Sequence, residues 1–167
     1  AGGQDLLLMS DPRVEPVALS GGGKCPASAP VKQYNVSAIN VEITLNQWLD
    51  FYPGYMYTLD ENLDKVRAEE TKNREARDKE GFDPGAVIPG VQAQWIQPLT
   101  IRGNQGDCVK IKLSNKLEGG EDVSLHIHGS SMVVSATGAA AATTNSDSIV
   151  QKEKSGEFEW YIHPSTQ

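Results

Sequence analysis

At 167 residues the chain is long enough for one domain with a sizeable core and too short for two comfortable ones. Its 22 acidic residues outnumber 15 basic ones, and the formal charge of −7 argues against nucleic acid and anionic membranes, which attract clustered Lys and Arg. No apolar run approaches the ~20 residues that cross a bilayer, so no membrane span is expected.

Residues 1–30 are rich in Gly, Pro, Ala and Ser and contain Gly21-Gly22-Gly23, the composition of an extended N-terminal arm. A first residue Ala1 in place of Met is the start that signal-peptide removal leaves, as well as that of many recombinant chains. The expectation is a secreted or periplasmic protein. Two cysteines, Cys25 in the arm and Cys108 at a predicted strand, suit one disulfide in an oxidising compartment, with two separate buried thiols as the alternative. Asn35-Val36-Ser37 matches an N-glycosylation sequon, a short pattern that also arises by chance.

Residues 31–167 read as a single domain. Tyr34, Val36 and Ala38, then Val41, Ile43 and Leu45 alternating with Glu42 and Thr44, predict a strand over about 32–46 with an irregularity near Ile39-Asn40. Trp48, Phe51, Tyr52, Tyr55, Met56 and Tyr57 flank Pro53-Gly54, an aromatic loop suited to plugging the end of a barrel or sandwich. Charges alternate in sign through 60–80, which predicts an inserted, solvent-exposed helix supported by pairs three and four residues apart and ended by Gly81.

Further along, a strand is expected at about 92–102, and Gly103 to Asp107 is a turn by composition. Val109, Ile111 and Leu113 alternate with lysines as a half-buried strand. Lys116 to Asp122 is a polar loop and Ala139 to Thr144 a low-complexity one. Met132 to Val134 continues the strand character of Val123 to Leu125, and Phe158, Trp160 and Ile162 mark a last strand. Several short strands separated by turns predict a mainly β fold, a β-sandwich or Greek-key barrel.

Two of the three histidines lie in Leu125-His126-Ile127-His128-Gly129. On an extended strand His126 and His128 share one face and Ile127 the other, with Cα atoms about 6.5–7 Å apart. Two imidazoles so placed are a ready pair for copper, zinc or iron; a solvated strand face is the plain alternative. Gly129 would allow close approach of backbone to a metal.

The order Ile88-Pro89-Gly90, Leu99-Thr100-Ile101-Arg102-Gly103, Gly106-Asp107, the strand Val109 to Asn115, and Leu125-His126-Ile127-His128-Gly129 resembles the first cupredoxin domain of multicopper oxidases, the laccase and ceruloplasmin superfamily. The likeness spans about 88–163. Ser155 to Ile162 is similar to the strand that precedes that family's second His-x-His motif, which would fall past Gln167. The resemblance implies a cupredoxin-like Greek-key β-sandwich with an inserted charged helix, incomplete at its C-terminal end. It implies copper, with His126 at the type 2 position and His128 at a type 3 position of a trinuclear cluster that reduces dioxygen to water.

Departures from the pattern bear on the function. The family's cluster takes eight histidines from two domains, and two stand at matching positions here. Cys108 is followed by Val109-Lys110-Ile111, without the His and Met of a type 1 site, and His163 lies outside the matched spacing. The chain is therefore expected to be part of a copper-dependent oxidoreductase and inactive alone. Its expected partner is a complementary polypeptide, or further domains of the same oxidase, and oligomerisation is left open. The alternatives are a non-catalytic copper-binding cupredoxin module and a structural β-sandwich that serves as an interaction domain.

Overall fold

The computed structural model describes residues 24–48, 50–79, 85, 93–127, 133–134 and 148–163. In chain order the elements are β1 (Val31–Thr44), β2 (Phe51–Leu59), α1 (Leu63–Asp78), β3 (Cys108–Asn115), β4 (Val123–Ser124), β5 (Val133–Val134), β6 (Ile149–Val150) and β7 (Ser155–Tyr161). They form a five-stranded sheet in the order β2-β1-β3-β7-β5 and a two-stranded sheet of β4 and β6. The architecture is mainly β, with α1 the single α-helix among the described residues.

Strand β1 organises the large sheet because its two halves pair differently. Residues 31–38 lie parallel to β3, and residues 36–44 lie antiparallel to β2. Where the pairings overlap, at Val36 to Ala38, the backbone is flanked on both sides, and these residues and Ile39 are buried. Alternation still sorts the side chains. Val36 and Ala38 enter the main core, while Ile39 and Val41 enter a second cluster with Val66 of α1 and with Ala93 and Ile96. The sequon lies within this strand; Ser37 is fully buried, and its Oγ donates to Asp60 Oδ1 at 2.5 Å.

The main core joins the two sheets. Val109, Ile111 and Leu113 of β3 and Phe158 of β7 face Val123 of β4, Val150 of β6 and Leu117. Phe158 heads the fully buried side chains by volume, and burying a ring of this kind contributes roughly 1.5–3 kcal/mol. Buried Asn115 stitches the layers. Its Nδ2 donates to the carbonyls of Glu121 and Val150 at 2.8 and 3.0 Å, and its Oδ1 accepts the Leu117 N–H at 3.0 Å.

Residues 51–59 are a strand where a loop was expected. Pro53 and Gly54 read as turn residues, but β2 is an edge strand, where a proline costs no ladder donor. Trp48, Phe51, Tyr52 and Tyr55 are exposed, and of this group Met56 and Tyr57 pack against the core clusters.

The helix fills the place expected for it, but its inward face is polar. Val66, Glu69, Glu70 and Asn73 are buried at helical spacing. Glu70 takes Arg67 at 2.9 Å and Arg74 at 2.7 Å, while Glu42 of β1 takes Arg77 at 2.5 Å. That hydrogen bond to Glu42 is the main cause raising the Arg77 pKa above its ordinary value. The Arg67 guanidinium donates to the Asn40 carbonyl at 2.8 Å. Lys116 N–H serves the Ala38 carbonyl two residues earlier on β1, so Arg67 takes over where β3 ends.

Glu69 explains why the stretch expected as a strand at 92–102 is irregular over its described part. The carboxylate accepts the N–H groups of Gln94, Trp95 and Ile96 at 3.2, 3.1 and 3.2 Å. Donors aimed at a helix side chain are not available for a ladder. The expected turn at 103–107 is present: Asp107 Oδ2 accepts the Asn104 N–H at 2.8 Å, and Gly106 has φ 88°. That left-handed conformation suits glycine.

The arm is fastened by the expected disulfide. Cys25 and Cys108 are bonded, with Cα atoms 5.6 Å apart. Cys25 N–H also donates to Glu159 Oε1 at 2.7 Å, and Cys108 N–H to the Pro30 carbonyl at 2.8 Å. Gly81, the segments 86–92 and 135–147, and the arm before residue 24 lie outside the described residues.

Candidate metal centre

The His-x-His segment follows β4 directly. The regular pairing covers only Val123–Val150 and Ser124–Ile149, so His126 lies beyond the ladder, not within a strand. Extended alternation persists all the same. Leu125 and Ile127 pack against the main core, and His126 is exposed on the other side. Apolar neighbours on both sides thus turn the imidazole outward, because burying Leu125 and Ile127 together excludes His126 from the interior.

The ring has a specific neighbour. Ser148 Oγ lies 3.0 Å from His126 Nε2, and Ser148 is fully buried. Stepping the β4–β6 register one residue further sets Ser148 opposite Leu125, so the small antiparallel sheet brings this hydroxyl beside the ring. A metal-ligating histidine characteristically uses one ring nitrogen for the metal and engages a hydrogen-bond partner through the other. With Ser148 on Nε2, Nδ1 is the atom His126 would offer. His128 and Gly129 lie outside the described residues.

The third histidine stands elsewhere in character. His163 is half-buried and meets the Tyr161 ring edge to face, with centroids 6.0 Å apart. Among the described residues one group of three ligating side chains converges: Cys25, Cys108 and Glu159. Its sulfurs are joined to each other, and the Glu159 carboxylate already holds the Cys25 N–H and Lys110 Nζ, the latter at 3.6 Å. Those donors are committed to structure.

The small sheet that carries His126 is held to the large one by polar tethers. The half-buried Tyr57 of β2 donates its hydroxyl to the Ser124 carbonyl at 2.7 Å, and burial raises its pKa above 10.0. Ser148 and Tyr57 were both missed by the sequence reading. Ser148 sits in the polar run Asn145-Ser146-Asp147-Ser148, where nothing sets it apart, and Tyr57 was grouped with the aromatic plug.

No protein-family model matches the chain, and no curated protein matches it either.

Proposed function

We propose that this chain is a cupredoxin-like Greek-key β-sandwich domain of a multicopper oxidase, with His126 and His128 as copper ligands. The observation that carries the reading is the outward imidazole of His126, oriented through Nε2 by a buried serine hydroxyl. Neutral imidazole is a suitable ligand for both oxidation states of copper. Copper held there would pass to dioxygen the four electrons, delivered from a donor elsewhere, that reduce it to water. The chain's own part is to hold ligand nitrogens in place: Leu125 and Ile127 lock the backbone from the core side, and Ser148 sets the ring.

Three histidines in the whole sequence are too few for a trinuclear cluster, so the remaining ligands come from a complementary polypeptide or further domains. The Cys25–Cys108 disulfide accords with a secreted or periplasmic setting. The exposure of His126 also favours a second reading, a non-catalytic module that holds a single surface copper.

Copper analysis and electron paramagnetic resonance of the protein with its partner polypeptide decide between them. His126→Ala should remove the type 2 signal, and His128→Ala should abolish the near-ultraviolet absorption of the coupled type 3 pair. Loss of one and the same mononuclear signal in both variants assigns the surface module. Unchanged copper content in both removes the metal reading altogether. The 167-residue chain alone should bind copper weakly and show no oxidase turnover.

A further inference from the structure

The sequon Asn35-Val36-Ser37 lies in β1, and the copper reading makes no use of it. Its asparagine is exposed, whereas Val36 and Ser37 are fully buried. We propose that Asn35 carries an N-linked oligosaccharide, attached before the chain folds.

Alternation along β1 sends Val36 and Ala38 into the main core and Asn35 to the opposite face of the large sheet. Its neighbours on that face are solvated. Asn35 is level with Lys112 of β3, and Lys112 with Glu157 of β7, all three exposed. Gln33 and Lys110, the next pair along, are exposed as well. Helix α1 covers the other half of β1, where Val66 meets Ile39 and Val41. Beside Asn35 the ladder to β2 has ended, since that pairing begins at Val36 opposite Leu59. A cleft of about 250 Å³ opens there, lined by Gln33, Tyr34, Asn35, Leu59, Asp60 and Glu61. Its polar rim suits the hydroxyls of a first sugar, which both donate and accept. Among the described residues the Asn35 amide has no hydrogen-bond partner, so a sugar on it displaces no internal bond. A bulky, hydrated substituent belongs on such a surface.

The order of events follows from Ser37. Recognition of a sequon needs the hydroxyl two residues after the asparagine. In the folded protein that hydroxyl is buried and bonded to Asp60 Oδ1, and Ser37 is paired on one flank with Thr58 and on the other with Ser114. The motif is therefore readable on the unfolded chain and closed in the folded one. In the transfer, Asn35 Nδ2 loses a proton and bonds the anomeric carbon of the first sugar. The bond from that carbon to a polyprenyl diphosphate carrier breaks, and the diphosphate leaves with the electron pair. This modification rests on the secreted reading, because sequons are read during export, in the setting that also allows the Cys25–Cys108 bond. It is independent of copper, since the His126 segment packs on the core face of the large sheet, away from Asn35.

Peptide mapping by mass spectrometry, on the protein purified from its own source, tests the assignment before and after treatment with peptide N-glycosidase. The peptide that holds Asn35 should carry an oligosaccharide, and the enzyme should remove it and leave an acid where the amide was. The full chain secreted by a eukaryotic host should gain a glycan at the same residue, and Asn35→Gln, a change at an exposed side chain, should be secreted without it. The folded, oxidised chain made without sugar should resist a solubilised oligosaccharyltransferase supplied with its lipid-linked donor. The reduced, carboxymethylated chain, which a charged group on buried Cys108 keeps unfolded, should accept the sugar. A bare Asn35 in the natural protein with the disulfide intact overturns the glycan alone; a bare Asn35 with free Cys25 and Cys108 overturns the secreted reading with it. Glycan retained in Asn35→Gln, or equal modification of the folded and unfolded chains, also overturns the proposal.

Discussion

Removing the disulfide is the perturbation whose size follows most directly from the structure. Cys25 and Cys108 are 83 residues apart in sequence, and the bond closes a loop of that length in the unfolded chain. The chain-entropy relation for such a loop gives about 4.5 kcal/mol, near the upper end of the range measured when native disulfides are removed. Among the described residues, two hydrogen bonds also fasten the arm to β3 and β7, the 2.7 Å bond from Cys25 N–H to Glu159 and the 2.8 Å bond from Cys108 N–H to Pro30. These offset little of the loss. The Cys25→Ala/Cys108→Ala protein should therefore unfold in urea at a midpoint lower by about 2 M, taking an m value of roughly 2 kcal/mol/M. The m value should rise, because the unfolded chain without the crosslink is more expanded and exposes more surface. The unfolded, unreduced parent should show no reactive thiol on titration. A midpoint within about 0.3 M of the parent, or two titratable thiols in the parent, would refute the linkage.

Glu69→Gln keeps the shape of the carboxylate but replaces one acceptor oxygen with a donor facing the N–H groups of Gln94, Trp95 and Ile96. Losing charge-assisted bonds at a buried site should cost roughly 2–4 kcal/mol, and calorimetry should show Tm falling by about 5–12 °C; an unchanged Tm would show that the segment is anchored by its apolar residues alone. Burial raises the Tyr57 pKa above 10.0, so the folded state holds this proton more tightly than the unfolded chain does. Its contribution is complete below pH 10 and is lost as pH rises through the raised value. Tyr57→Phe should thus flatten the decline of stability above pH 10 in a series of urea melts, and an identical alkaline slope in both proteins contradicts the assignment.

Much of the sheet was legible in the sequence because its signal is period two. The strand expected over 32–46 is β1, that over 109–113 lies within β3, and the alternation of Phe158, Trp160 and Ile162 marks β7 and the residue after it. The failures share one cause, which is that partners from elsewhere in the fold override the local pattern. Glu69 draws the N–H groups of 94–96 away from any ladder. Pro53-Gly54 reads as a turn until β1 is seen to place β2 at a sheet edge. The charge alternation of α1 reads as solvation, yet Glu69 and Glu70 are buried, and Arg67 and Arg77 turn toward the Asn40 carbonyl and Glu42, which wait on β1 as partners. Within the candidate site, His126 was visible from its spacing, whereas the hydroxyl that orients it lies 22 residues away and carries no local mark.

The same contrast bears on how rigidly His126 is held. Two residue pairs join β4 to β6, too short a ladder to be stable by itself. What fixes the small sheet is its attachment to the large one, through Val123 and Val150 in the main core, the Tyr57 hydroxyl on Ser124, and Asn115 reaching both Glu121 and Val150. Each tether ends within a few residues of His126 or Ser148 along β4 or β6. The imidazole is therefore positioned by β1, β2 and β3 at one remove, not by the strand on which it lies. A metal site needs its ligand atoms held to a fraction of an ångström. On the proposed copper reading that demand would fall on a tyrosine and an asparagine that touch no metal, and their loss would loosen the ring without altering His126 itself.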